Sequence, residues 1–205
     1  MTQSPARPMR LGVFGGAFDP PHAAHRALIV AAIAQLRLDR LLVIPTGHAW
    51  HKTRSLSSAH HRVAMAQLAF ADLPAVEIDP RETARAGPSY TIDTLHALKG
   101  DNPRAELFLI IGQDQAASFS GWHCWREIVD LAVICVAGRA DVAGQAPDFE
   151  PPEGLQARFM TLQLPISDIS ATDIRQRAAA GQGIEPLVSA AVARYIVLHR
   201  LYQAT

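Results

Sequence analysis

Three short apolar runs, each halted by a residue that ends a strand, most constrain what this 205-residue chain can fold into. Arg10-Leu-Gly-Val-Phe14 runs into Gly15-Gly16, Leu41-Leu-Val-Ile44 is stopped by Pro45, and Glu106-Leu-Phe-Leu-Ile-Ile111 ends at Gly112. Runs of this length bounded by turn formers read as buried strands. Between the first two lies Ala23 to Leu36, rich in Ala, Leu and Ile and free of Gly and Pro, which reads as a helix. Strand, helix, strand is the beginning of a parallel α/β sheet.

The alternation continues down the chain. His60 to Leu73 has helical spacing, Val76 to Asp79 is a brief strand candidate, and Tyr90 to Lys99 is a short helix opened by Ser89. Leu131 to Ala137 forms a further strand and Phe159 to Leu164 a weaker one. The expectation is one domain over residues 1–205, an α/β, Rossmann-like, doubly wound and mainly parallel sheet of four or five strands. A small C-terminal helical part completes it, with one helix over residues 186–203. Residues 1–8 read as a flexible end. Asp141 to Gly154, with three prolines and several acids but no periodicity, reads as a mobile surface loop.

Composition narrows the function. Lys plus Arg balance Asp plus Glu at 19 each, so no net field draws nucleic acid or an anionic membrane, and any anion must be held locally. No apolar run reaches the roughly 18 residues that cross a bilayer, so a cytoplasmic protein is expected. Cys124 and Cys135 match no zinc or CxxC spacing and are expected to be reduced, buried thiols.

In parallel sheets, ligands bind beyond the carboxyl ends of the strands, so the first strand's loop is the place to look. That loop is Gly15-Gly-Ala-Phe-Asp-Pro-Pro-His-Ala-Ala-His25. Two glycines let a ligand approach the backbone, and the following helix presents its positive end to an anion. His22 and His25 are three positions apart, which puts both rings on one face of the first turn. An isolated HxxH also fits a capping histidine beside a partly buried one. There is neither a GxGxxG nor a GxxxxGK[ST] element, so hydride transfer and the P-loop lose their main support. Near the other end, Ile169-Ser-Ala-Thr-Asp-Ile-Arg175 offers a second helix start suited to polyphosphate, with Ser170 as N-cap, Thr172 in the first turn and Arg175 beside them. Taken alone, it also fits a capped surface helix.

Together these stretches resemble a known family. The first is similar to the G-G-x-F-D-P-x-H-x-G-H signature of the HxGH nucleotidyltransferases, and the second to their I-S-S-T-x-I-R signature. Ser89-Tyr-Thr-Ile-Asp-Thr-Leu95 and Ile110 to Trp122 look like the nicotinate-nucleotide adenylyltransferase branch, and the likeness runs from about residue 10 to Tyr202. The resemblance implies transfer of an adenylyl group from ATP to nicotinate mononucleotide, with Mg²⁺ bound to the ATP phosphates and no protein metal ligand. It sets ATP against Gly15, Gly16 and Phe18, with His22 and His25 on the phosphates. Lys52, Ser170, Thr172 and Arg175 hold the polyphosphate, while Gly112 and Asp114 approach the ribose. Trp122 stacks on the pyridine, and Tyr90, Thr91 and Thr94 line its pocket. His22, His25 and Arg175 are the catalytic candidates. Ala24 stands where the family has glycine and Ala171 where it has a second serine.

The acceptor's phosphate already carries an anionic nucleophile, which fits the absence of a nucleophile triad. Positioning and charge stabilisation are what such a reaction needs. Competing readings are an adenylyl- or cytidylyltransferase with another acceptor such as phosphopantetheine, and a nucleotide-binding regulator without turnover. A homo-oligomer is left open.

Overall fold

The computed structural model describes residues 7–47, 56–139, 149–164 and 167–203. Its centre is a six-stranded parallel sheet in the order β3-β2-β1-β4-β5-β6, formed by β1 (Arg10–Gly16), β2 (Arg40–Pro45), β3 (Val76–Ile78), β4 (Glu106–Gly112), β5 (Ala132–Arg139) and β6 (Phe159–Leu164). The Rossmann-like expectation holds, with six strands in place of the four or five read from the sequence.

Side chains alternate across each strand, and both faces are covered. Leu107, Leu109 and Ile111 of β4 join one core with Leu11, Val13, Leu95 and Ile128. Phe108 and Ile110 join the other with Phe14, Ile29, Met65, Phe70, Val192 and Ile196. The first core is closed by α4 (Thr91–Asp101) and α6 (Trp125–Leu131), the second by α1 (Ala23–Leu36), α2 (Ala59–Phe70), α7 (Ala171–Ala179) and α8 (Ala190–Leu198). Two short helices, α3 (Arg81–Ala84) and α5 (Gln113–Ala117), sit just beyond β3 and β4. Among the described residues, no helix is long and apolar enough to cross a membrane.

Several boundaries differ from the sequence reading for local reasons. The C-terminal helix is α8 alone, shorter than residues 186–203. Ser189 caps it by accepting the Val192 N–H at 3.3 Å, and Arg200 ends the tail in the left-handed region at φ +49°. Ser89 does not open α4, because its hydroxyl is turned back toward Gly47 and buried; Tyr90 is the N-cap. Cys124 is exposed rather than buried, since it turns the chain into α6 at φ +53°, whereas Cys135 lies inside β5. The loop expected at 141–154 is described only from residue 149.

Candidate active site

The sheet order reverses between β1 and β4, and a cavity of about 1010 Å³ opens beyond the carboxyl ends of these two strands. Its wall includes Gly15, Gly16, His22, Ala24 and His25 from the first loop and helix, and Gly112 and Asp114 from the β4 loop. Tyr90, Thr91, Thr94 and Trp122 line the opposite part. Such a volume suits a ligand as large as two joined nucleotides.

The glycines differ in what they do. A Cβ on Gly15 would meet nothing within 4 Å, so its face is left to the cavity. One on Gly16 would press on the Phe18 ring at 3.0 Å. Phe18 itself corrects the expectation: it is 1% exposed, adopts φ +49°, and packs against Phe14, His25 and Phe70 instead of facing the cavity. The ring acts as a seat for His25.

Pro20 and Pro21 cannot donate backbone bonds, and α1 begins immediately after them with His22 as N-cap. The amide of Ala23 is spent on the Leu187 carbonyl at 2.9 Å. The His22 backbone N–H donates to His25 Nδ1 at 3.2 Å, so in the neutral ring the proton sits on His25 Nε2, which is then a donor. The two imidazoles stack at 3.7 Å. Burial pulls the His22 pKa down to about 4, so that ring is uncharged near neutrality. His22 therefore brings an uncharged ring to the cavity rather than a standing positive charge.

The second phosphate-suited helix lies beside the first loop. Ser170 caps α7 by accepting the Asp173 N–H at 3.1 Å. Arg175 reaches across, donating from Nη1 to the Asp19 main-chain oxygen at 2.9 Å and from Nη2 to Thr172 Oγ1 at 3.0 Å. Ser170 and Thr172 are exposed, and Ile169 just ahead of them lines the cavity. Ser170, Thr172 and Arg175 themselves lie outside the cavity wall, and the Arg175–Asp19 bond is what joins this helix start to the first loop. Lys52 lies outside the described residues.

At the acceptor end, Thr94 lines the cavity but turns its hydroxyl away from it. It is 2% exposed, and its hydroxyl is spent on Glu82 Oε1 at 2.8 Å. Glu82, missed in the sequence, is a buried carboxylate on the cavity wall that also accepts from the Gly47 N–H; burial raises its pKa above the ordinary range. It ties α4 to the end of the β2 loop. Gly47 is required there, because a Cβ would lie 2.1 Å from the Glu82 carbonyl oxygen. Trp122 leans on buried Phe119 at 5.4 Å, and Tyr90 pairs with His123 at 4.6 Å, which adds His123 to the cavity wall. Only Glu82's place before the Ser89-Tyr90-Thr91 stretch could have marked it, and that is a weak signal.

For Mg²⁺, an ion that wants six oxygens, the described residues contain no cluster of three or more His, Cys, Asp or Glu able to hold a metal. Asp114 is an exposed carboxylate at the cavity. This donor set fits an ion carried mainly by phosphates and water.

Residues 13–177 match the family model described as cytidylyltransferase-like. A protein of Albidiferax ferrireducens that bears the name nicotinate-nucleotide adenylyltransferase is 57% identical, over 95% of this chain and 98% of its own. One of Methylibium petroleiphilum with the same name is 43% identical, over 98% and 95%. Among solved structures, nicotinic acid mononucleotide adenylyltransferase of Plasmodium falciparum, complexed with NaAD, aligns with a TM-score of 0.73 at 18% identity, covering 95% of this chain and 97% of that one. At that identity the likeness speaks for the fold.

Proposed function

The chain belongs to the cytidylyltransferase-like family and, within it, to the nicotinate-nucleotide adenylyltransferases, and from that premise we propose how its site works. The reaction transfers the adenylyl group of ATP to nicotinate mononucleotide and yields nicotinate adenine dinucleotide and pyrophosphate, a step in making NAD. An oxygen of the acceptor's 5′-phosphate attacks the α-phosphorus, the bond from that phosphorus to the bridging oxygen breaks, and pyrophosphate leaves with the electron pair. No side chain need supply a nucleophile. The obstacle is repulsion between two polyanions and charge growing on the α-phosphoryl and leaving oxygens.

The observation that carries the reading is the approach of α7 to the first loop through Arg175, which lets one triphosphate meet both helix starts. His25 donates from Nε2, His22 stacks against it as an uncharged ring, and Arg175 adds a fixed positive charge. Gly15 leaves room for the phosphates, and Gly112 with Asp114 lies where the ribose turns. Ser170 and Thr172 offer hydroxyls from the α7 start, and Lys52 adds a cation. Mg²⁺, held by phosphate oxygens with Asp114 at hand, supplies charge neutralisation when bound. Trp122 and Tyr90 sandwich the pyridine, and Thr91 closes its pocket. We also propose a cytoplasmic location, in keeping with two free cysteines.

The test is pyrophosphate release from ATP and Mg²⁺ with nicotinate mononucleotide, nicotinamide mononucleotide or phosphopantetheine offered separately. Release with the nicotinate acceptor well above the other two is expected. Preference for phosphopantetheine, or no release with any acceptor, would overturn the assignment.

A further inference from the structure

The side chain of Asp19 takes no direct part in the transfer chemistry. Asp19 is 2% exposed, and a carboxylate taken out of water needs donors. It accepts the Tyr202 O–H at 2.7 Å on one oxygen and the Ser57 N–H at 3.2 Å on the other. The main-chain oxygen of the same residue takes Arg175 Nη1 at 2.9 Å. Arg62, equally buried, secures the surroundings by donating from Nη1 to the Ala17 carbonyl at 3.1 Å and from Nε to the Ser57 carbonyl at 3.0 Å. Tyr202 comes from the far end of the chain, 183 residues later, and α8 carries it there by packing on α2.

We propose that Tyr202 and Asp19 are a positioning pair for the transfer step: the tyrosine fixes the Asp19 peptide unit, whose carbonyl then aims the Arg175 guanidinium at the triphosphate. The inference rests on the adenylyl-transfer reading of the site. A planar guanidinium held through Nη1 by Asp19 and through Nη2 by Thr172 cannot turn in its plane, so its remaining face keeps one direction. Burial and the neighbouring Asp19 charge push the Tyr202 phenol well up, so it remains a donor across the working pH range. The groups that face the phenol are Asp19, Ser57, Arg62, Arg175 and, at 3.9 Å, Met65 Sδ. Without the phenol, the Asp19 carboxylate loses a hydrogen bond of 2.7 Å and with it the tie that holds the loop to the end of the chain. A shift of about 1 Å in a positioning group can cost on the order of 10²-fold in rate, and a partial shift correspondingly less.

Tyr202→Phe removes the hydroxyl and little else. In the wild-type background it should lower kcat about tenfold, with KM for ATP and acceptor changed less than about twofold, since Arg175 is displaced rather than lost. In the Arg175→Ala background the same substitution should lower kcat less than about twofold, because its effect passes through the missing arginine. Equal penalties in both backgrounds would reduce Tyr202 to a prop for the fold, and no penalty in the wild type would overturn the pair outright. Tyr195→Phe, in the α8 helix that leads to Tyr202 but bonded to His61 at 3.0 Å, is the control and should leave kcat unchanged. A readout free of turnover accompanies these. The ¹⁵N-edited Arg175 Nε–H resonance should move in Tyr202→Phe and stay in Tyr195→Phe; an unmoved resonance in Tyr202→Phe contradicts the pair. If the wild type turned over no acceptor, the adenylyl reading would fall while this resonance still decided the positioning role.

Discussion

The two ends of the cavity are built differently. At the phosphate end, main-chain groups and short side chains are fixed by one another: the His22 amide holds the His25 ring, the Asp19 carbonyl holds Arg175, and Phe18 packs against the His25 ring from the core. At the acceptor end, the cavity is faced by large side chains on short elements, with Trp122 after a single 3₁₀ turn and Tyr90 ahead of α4, braced by one buried carboxylate. The contrast follows from what each end must do. A polyanion whose charge changes during reaction needs donors set in advance, because reorganising them costs rate. A flat heterocycle that does not react needs only a matching surface, present before and after the transition state.

If the contrast is right, damage at the two ends should show in different kinetic constants. The largest effect belongs to His25→Ala, which removes a donor aimed at developing charge: turnover should fall by roughly 10²-fold or more with the fold retained. Near-normal kcat in the purified variant would break the comparison at its stronger end. Next in size is a pair of glycines. Gly47→Ala forces a Cβ against the Glu82 carbonyl and should cost about 1–3 kcal/mol of stability by denaturant melt. Gly15→Ala, whose Cβ points into open space, should melt like the wild type yet bind ATP more weakly by calorimetry. Equal melting losses in the two variants would erase the distinction between a structural glycine and one that makes room for ligand.

Trp122→Ala should act on binding, raising KM for the mononucleotide about five- to tenfold while kcat and KM for ATP stay nearly constant. A fall in kcat with KM unmoved would shift the tryptophan to the reacting end. The smallest effect concerns pH. His22 resists protonation down to about pH 4 in the native protein, whereas the unfolded chain takes up its proton near 6.5. Stability linked to His22 is therefore complete above pH 6.5 and is lost as the pH falls toward 4, by at most about 1.4 kcal/mol per unit. His22→Asn should flatten that stretch of the stability curve, and an unchanged slope would show that other groups set it.

Sequence made the first end of this molecule more readable than the second. Short-range chemistry decides the glycine pair, the two prolines and the start of α1, and the helix expected over Ala23 to Leu36 is found there. Capping of α7 by Ser170 is likewise local. Phe18 lies in the core and not on the expected cavity wall because a positive φ turns its ring inward, which residue type does not reveal. Thr94 and Glu82 lie twelve positions apart and meet only once α3 and α4 fold against β2. Longer still is the span from Asp19 to Tyr202, and nothing in either stretch signals the other. The six-strand count also needed the fold, since β3 has just three residues and pairs only with β2.

The central claim is that α1 and α7 grip one triphosphate from the same side of the cleft. A crystal structure of the protein with a non-hydrolysable ATP analogue and Mg²⁺ tests it most directly. The account predicts phosphate oxygens within about 3.2 Å of both His25 Nε2 and the Arg175 guanidinium. Phosphates bound to only one of these helices, or lying nearer Trp122 than His25, would contradict it.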